Sequence, residues 1–244
     1  MNLIILQEHE KLGNKIFSLQ GRKKQHLIEN LKARVGDSFQ AGILNQSFGT
    51  IKVLEIQNSE VIVQFTENYY FPYFTPNIQI FSSFQRPQTT KKILQLSACV
   101  GIKEISFFLL DKTEKSYQTS KLWKQNLWEE EFLLGLEQGK RIQMPKLNLY
   151  FTSKEKISFN FSTHTFLLDL EGKSFLEYIP ISKDSTFSFI LGPESGITSK
   201  DREFFIQKGA KPLKLSHNVL RSEFALAFAI SQLELVFELG DKNV

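Results

Sequence analysis

The rhythm of hydrophobic and polar positions changes near residue 72. Before it, apolar and polar residues alternate in Gly49-Thr50-Ile51-Lys52-Val53-Leu54-Glu55-Ile56 and again in Glu60-Val61-Ile62-Val63-Gln64-Phe65, with turn-forming Val35-Gly36-Asp37 and Gln57-Asn58-Ser59 nearby. A period of two puts every second side chain on one face, so this part of the chain predicts short strands curled into a small β-barrel. One stretch departs from it: over residues 22–32, Leu27 and Leu31 lie four apart, the spacing of a helical face. The run Tyr69-Tyr70-Phe71-Pro72-Tyr73-Phe74-Thr75-Pro76 interrupts both rhythms, because proline lacks an N–H and restricts the residue before it. It is read as a linker, which sets the domains at residues 1–72 and 73–244.

Beyond the linker, strands and helices alternate. The pattern predicts strands at 78–84, 104–110, 165–170, 186–191 and 212–215, and helices at 89–100, 121–139, 199–208 and 222–237. Such alternation means an α/β domain with a mainly parallel sheet. The last helix is apolar nearly all round (Phe224, Ala225, Leu226, Ala227, Phe228, Ala229, Ile230), which predicts burial in a core or against a second subunit.

Composition narrows the class only a little. With 244 residues and 41% hydrophobic content the chain has enough material for a core. No run approaches a membrane span, and the four apolar residues before Gln7 are too few for a signal segment, so the expectation is a soluble, cytoplasmic protein. Cys99 is the only cysteine, which excludes an internal disulfide and a cysteine-cluster metal site; no metal is expected. The net charge of +4 permits a nucleic-acid partner, and Arg22, Lys23, Lys24, Lys32 and Arg34 gather in the first third, as a basic face for phosphate or as ordinary solvated surface.

Chemistry is concentrated at two strand ends. The apolar run Phe187–Leu191 enters Gly192-Pro193-Glu194-Ser195-Gly196, and Thr198-Ser199-Lys200-Asp201 then reads as a capping box opening the next helix. In a parallel sheet, ligands bind beyond the carboxyl ends of strands, where glycine lets backbone groups approach closely. A second strand, Lys211-Pro212-Leu213-Lys214-Leu215, ends in Ser216-His217-Asn218-Val219-Leu220-Arg221-Ser222-Glu223, so that two neighbouring bends are expected to frame one crevice. Gln138 and Arg141, three apart on the predicted long helix, would share a face.

In this order the pieces resemble the RsmE family of ribosomal RNA methyltransferases, of the SPOUT class. The family's Gly-Pro-Glu-Gly-Gly turn stands here as residues 192–196, and its Leu-Gly-Pro-Arg-(Ile/Val)-Leu-Arg-(Thr/Ser)-Glu-Thr turn as residues 215–224. Trp128, Glu137-Gln138, Arg141 and Pro145 keep the family's spacing, and His26-Leu27-Ile28-Glu29-Asn30-Leu31 with Val35-Gly36-Asp37 is similar to a stretch of its first domain. The departures are Leu96 and Cys99 in place of Lys and Glu, Ser195 for glycine, Ser216-His217-Asn218 for Gly-Pro-Arg, Phe224 for threonine, and the lack of an arginine in the first six residues.

The resemblance implies an N-terminal PUA-like β-barrel that binds RNA and a C-terminal α/β trefoil-knot domain with a parallel sheet. It implies S-adenosylmethionine as cofactor, held by Leu168, Leu191, Gly192, Pro193, Glu194, Gly196, Leu215, Ser216, His217, Asn218, Val219, Leu220 and Glu223. The reaction implied is methylation of N3 of a uridine in 16S, small-subunit ribosomal RNA. Arg221 is the expected catalytic residue, since a guanidinium suits a delocalised oxyanion; the other reading of Arg221 is an ion pair with Glu194 or Glu223. RNA contacts are expected at Arg22, Lys23, Lys24, Lys32, Arg34 and Arg141, with the 30S particle and a second copy of the chain as partners. Two other functions stay open on the sequence: a non-catalytic RNA-binding or assembly protein of the same fold, and methylation of a different nucleotide. A serine at 195 would cost about 1 kcal/mol if the turn requires a left-handed residue there.

Overall fold

The computed structural model describes residues 3–68, 77–178 and 185–241, so the linker read at 69–76 lies outside the described residues. Two compact units divide the chain: the described residues up to 68 together with Leu133–Met144, and those from 77 to Phe132 together with Pro145 onward. The sequence pattern had assigned 133–144 to the second domain. These residues instead bond to the first unit: Leu3 N–H donates to Glu137 O, Asn45 N–H to Ile142 O, and Ile142 is fully buried.

The first unit is one curled six-stranded sheet. Its strands are β1 (Ile4–Leu6), β2 (Lys11–Gly13), β3 (Ile16–Gln20), β4 (Ser38–Ile43), β5 (Ser47–Ile56) and β6 (Glu60–Glu67), in the order β1-β4-β5-β6-β3-β2. All pairs are antiparallel except β1 with β4. The period-two reading holds where it was strongest: Ile51, Val53, Val61, Val63 and Phe65 are buried together with Phe17 and Leu19. Each contributes about 1.5–3 kcal/mol of hydrophobic stabilisation. A register shift between Val53 and Glu55 ends the alternation, which leaves Leu54 and Ile56 exposed. The expected helix is α1 (Gly21–Gln25), extended by a wide turn over His26–Asn30 in which Leu31 N–H donates to His26 O.

The second unit carries β7 (Asn77–Ser83), α2 (Pro87–Val100), β8 (Glu104–Leu109), α3 (Lys121–Lys124), α4 (Trp128–Gly139, shared between the units), β9 (Lys146–Ser153), β10 (His164–Lys173), β11 (Thr186–Leu191), α5 (Ser199–Gln207), β12 (Lys211–Leu213) and α6 (Ser222–Asp241). Its six strands are all parallel, in the order β12-β10-β11-β7-β8-β9. The middle of the sheet is buried: in β11, Phe187 through Leu191 form an unbroken buried run.

Three expectations are corrected here. The predicted helix over 121–139 is two helices, because Asn126 takes a left-handed conformation at φ 53°, one that asparagine tolerates better than most residues. Helix α4 stops at Gly139 and Lys140 turns to φ 52°, so Gln138 and Arg141 do not share a helical face. Strand β9 went unseen. Helix α6 buries Leu226, Ala229, Ile230, Leu233 and Val236 within the chain and exposes Phe224, Phe228 and Leu235 along another side, the side for which the expected cover is a second subunit.

Two tertiary features hold the end of the sheet. The last residues of β10, a strap beyond the register shift that follows Leu168, lie tightly on β12: a Cβ at Gly172 would sit 2.5 Å from the Leu213 nitrogen and from the Pro212 carbonyl carbon. Lys214 N–H donates to Lys173 O at 2.8 Å, and the Tyr178 hydroxyl to Pro212 O at 2.7 Å. Elsewhere Lys154 is buried with its ammonium 2.7 Å from Asp201, 2.8 Å from Glu155 and 3.3 Å from Asp111. Burial pushes this ammonium's pKa down, but the hydrogen bonds to Asp201 and Glu155 outweigh it and hold it above its ordinary value.

The same contact, chiefly the hydrogen bond from Lys154, pulls the Glu155 carboxyl down to about 2. A carboxyl depressed on folding adds stability above its unfolded value and loses it as pH falls through the folded one. Wild-type stability is therefore expected to decline from about pH 4.5 towards pH 2, and Glu155→Gln to flatten part of that decline, measured as urea midpoints against pH. Parallel curves for the two proteins would refute the assignment.

Candidate functional site

Three carboxyl-terminal strand ends meet in one cleft. The chain leaves β10 at Leu168–Leu170, β11 at Leu191–Ile197 and β12 at Leu213–Ala225, and Arg86 and Thr89 complete the wall from the start of α2. The cleft has a volume of about 520 Å³, within the range of small-molecule sites. Its lining is largely aliphatic, through Leu168, Leu170, Leu191, Ile197, Leu213, Leu215, Val219 and Leu220, with Asp169, Glu194, Arg86 and Arg221 as its charges.

The turn after β11 is held from every side. The Gln85 amide donates to Gly192 O at 2.7 Å, and Gly196 N–H donates to Pro193 O at 2.8 Å. The left-handed residue is Gly196, at φ 85°, and not Ser195. The serine therefore carries no left-handed penalty. Its hydroxyl instead donates to Lys112 O at 3.0 Å and fastens the turn to the chain after β8. Thr198 caps α5 as expected, accepting from Asp201 N–H at 3.0 Å.

The charges resolve the alternatives at Arg221. Glu194 accepts from the Thr89 hydroxyl at 2.6 Å and lies 3.6 Å from the Arg86 guanidinium, while Glu223 is buried in an ion pair with Lys92 at 3.1 Å. Neither acid pairs with Arg221, which is exposed on the cleft wall and forms no ion pair with a described residue. A hydrogen bond with Tyr117, followed by the charge of Glu194, raises the pKa of Arg86 above its ordinary value. Asp169 is engaged by Arg202 and by Glu171 N–H.

Most residues expected in the crevice are there: Leu168, Leu191, Gly192, Pro193, Glu194, Gly196, Leu215, Ser216, Asn218, Val219, Leu220 and Arg221. Two are not. His217 is turned out to solvent by the bend in which Asn218 N–H donates to Ser216 Oγ, and Glu223 faces α2 through Lys92. Phe224 does not plug the cleft; its side chain is half exposed outside the lining. Arg86, Thr89, Asp169 and Gln85 were missed. The only sequence signal for them was the end of a strand at Arg86-Pro87, where proline opens a helix at its first position.

The basic face of the first unit is less free than its sequence suggests. Lys23 is buried, with its ammonium 2.7 Å from Glu10, and Arg22 holds Glu137 through two hydrogen bonds of 2.7 and 3.0 Å. Both are structural ion pairs, in which acids 13 and 115 residues away claim the charge. Lys24 donates to Asn58 O, and Lys32 and Arg34 are exposed. Arg141 lies just past α4 within the first unit.

Comparisons with known proteins agree with this geometry. Residues 74–234 match the family described as RNA methyltransferase domain. Over 242 residues the chain is 29% identical to ribosomal RNA small subunit methyltransferase E 1 of Borreliella burgdorferi, covering 92% of this chain and 94% of that protein. It is 24% identical to ribosomal RNA small subunit methyltransferase E of Treponema pallidum, covering 94% and 89%. Among solved structures, ribosomal RNA small subunit methyltransferase E of Neisseria gonorrhoeae, bound to S-adenosylmethionine, superposes with a TM-score of 0.74 at 18% identity, over 96% of this chain and 97% of that one. The fold implied by the resemblance, a curled N-terminal sheet and a parallel α/β domain, is therefore the fold this chain has. With two thirds of its length matched by that family, the chain belongs to the RNA methyltransferases.

Proposed function

We propose that this chain methylates N3 of a uridine in small-subunit ribosomal RNA, with S-adenosylmethionine bound in the cleft of the second unit. The observation that carries the reading is the convergence of three strand ends on one small-molecule cleft in which the Arg221 guanidinium is without an acid among the described residues. The names of the Borreliella and Treponema relatives support the RNA class, and the Neisseria structure supports the cofactor.

The residues present fit that cofactor. An adenosyl group needs an apolar slot, which the aliphatic walls provide, and polar edges that irregular backbone satisfies; residues 214–220 form neither helix nor strand. Leu168, Leu191, Gly192, Leu215 and Leu220 would form the slot, with Pro193, Glu194, Gly196, Ser216, Asn218 and Val219 around its mouth. The bound cofactor supplies an electrophilic methyl group on a sulfonium.

The chain's own task is the acceptor. Removing the N3 proton of uridine spreads negative charge onto the two flanking carbonyl oxygens. Arg221 stays protonated at any working pH and offers donors to that charge as it develops. Glu194 and Asp169 are paired with Arg86 and Arg202, which gives both a part in organising the cleft wall. In the first unit Lys24, Lys32 and Arg34 hold RNA phosphate, and the exposed Phe224, Phe228 and Leu235 side of α6 is the seam of a two-fold dimer. The setting is the cytoplasm, where small subunits assemble.

Calorimetry with S-adenosylmethionine and methyl transfer to small-subunit particles test the reading together. Arg221→Ala is expected to retain cofactor binding and to lose about 100-fold in turnover. Absence of binding heat at millimolar cofactor, or wild-type turnover in Arg221→Ala, would remove it. Mapping the methylated nucleotide decides the position.

A further inference from the structure

The second unit carries a surface beside the cleft that the cofactor reading does not use. In β9 the register slips: Phe107 pairs with Leu149 and Leu109 with Ser153, so three residues of β9 face one of β8. A bulge of this kind re-aims side chains. Tyr150 packs into the core, while Phe151 is 55% exposed. This ring is not loose: it stacks on buried Phe84 at 5.5 Å and 12° between planes, and Phe84 is held in turn by Trp123 at 5.8 Å. One ring face is thus backed by the core, and the exposed area is the other. Phe84 lies two residues before cleft-lining Arg86 in the chain.

The chain following β8 reaches the same Phe84 ring through Trp123, which lies in α3 between Lys121 and Lys124, and is basic. Lys112, Lys115, Lys121 and Lys124 are all exposed, and none forms an ion pair with a described residue. The acids of this stretch are otherwise occupied: Asp111 bonds Lys154, and Glu114 caps its own turn by accepting from Ser116 N–H. One hydrogen bond fastens the segment to the cleft wall, from Ser195 Oγ to Lys112 O.

We infer that Phe151 and the lysines of residues 112–124 form a single-stranded RNA platform on the catalytic unit, in which an unpaired base next to the target stacks on Phe151 and the adjoining phosphates lie on Lys115, Lys121 and Lys124. Flat rings with one rigidly backed face suit bases of any sequence, and exposed unpaired ammonium groups suit a phosphate chain. Unstacked bases are also what a methyltransferase must meet, because the target atom is out of reach inside a helix. The platform rests on the RNA reading of the function but assigns it to residues outside the first unit's basic face.

The test uses the full-length protein and a labelled, unstructured oligoribonucleotide of mixed sequence, with binding followed by anisotropy over a range of salt. Phe151→Ala is expected to weaken binding about 10-fold and Phe151→Trp to restore it, since alanine removes a stacking partner and tryptophan supplies one. Combining Lys115→Gln, Lys121→Gln and Lys124→Gln should lower the salt slope by about 2, at roughly 0.7 per single-strand phosphate contact. All these side chains are exposed, so cofactor-binding heat should match wild type and report intact folding. Wild-type affinity and slope in both variants would overturn the platform while leaving the proposed function standing. A wild-type protein that binds neither this RNA nor small-subunit particles would end both.

Discussion

Asp201→Ala is expected to lower unfolding free energy by about 3–5 kcal/mol, the usual cost of removing one partner from a buried ion pair. Asp201 is fully buried, and Lys154 opposite it at 2.7 Å is 1% exposed. With the aspartate gone, an ammonium remains inside the protein with the half-exposed Glu155 and the more distant Asp111 as its only acids. The carboxylate also accepts from the Thr198 hydroxyl at 2.8 Å and from Asp111 N–H at 3.3 Å, so the N-terminus of α5 loosens with it. Because α5 begins where the Gly192–Ile197 wall ends, cofactor affinity should fall as well. Lys154→Met in the same chain should recover much of the loss, since two apolar side chains leave no stranded charge. Urea midpoints read the effect, and a shift no larger than that of exposed Glu203→Ala would refute it.

Gly172→Ala should damage stability and cofactor binding together. The added methyl group would meet backbone at 2.5 Å on β12, an approach that flexible side chains relieve but peptide groups do not. The strap must lift, which breaks the bonds from Lys214 N–H and the Tyr178 hydroxyl. Overpacking of this kind costs about 3 kcal/mol at the upper end of its usual range. The displaced strand leads directly into Leu215–Arg221, so cofactor affinity is expected to drop by at least about 100-fold, roughly the same free energy delivered at the site. Gly13→Ala, where a Cβ meets open space, is the control. If the two glycine variants bind S-adenosylmethionine and melt alike, the strap is not what holds the cleft.

The exposed side of α6 shows how a pattern misleads. The seven residues Phe224–Ile230 read as apolar on every face, yet the helix buries only one side within the chain and leaves Phe224, Phe228 and Leu235 to solvent. Hydrophobicity alone states that a face prefers cover and not what supplies it. Strand β9 misled in the opposite direction. Its extra residues opposite Phe108 destroy the alternation by which a strand announces itself, and the same irregularity turns Phe151 outward.

Charge was read least well. Arg22, Lys23 and Lys24 form one basic cluster on paper, but Glu137 takes the first and Glu10 the second. Arg221 was the reverse case: both acids proposed as its partners are held elsewhere, by Arg86, Thr89 and Lys92, which leaves it available. The serine at 195 was a doubt that only a backbone angle removes, since Gly196 carries the left-handed turn.

By itself the sequence determined most of the alternating strands and helices, though not β9 or the break at Asn126, together with the two strand-end bends and the capped start of α5, because periodicity, proline, glycine and capping residues act within a few positions of one another. It also determined that Arg221 stands in the second bend. Tertiary structure alone decided that β10 contributes a third bend, that Arg86 and Thr89 close the wall, that Gly172 lies on Pro212, and that Lys154 is buried among acids from three parts of the chain. Those outcomes depend on strand order in a parallel sheet, where neighbours are set by crossovers of tens of residues, and no local spacing records which distant carboxylate or backbone group arrives beside which side chain.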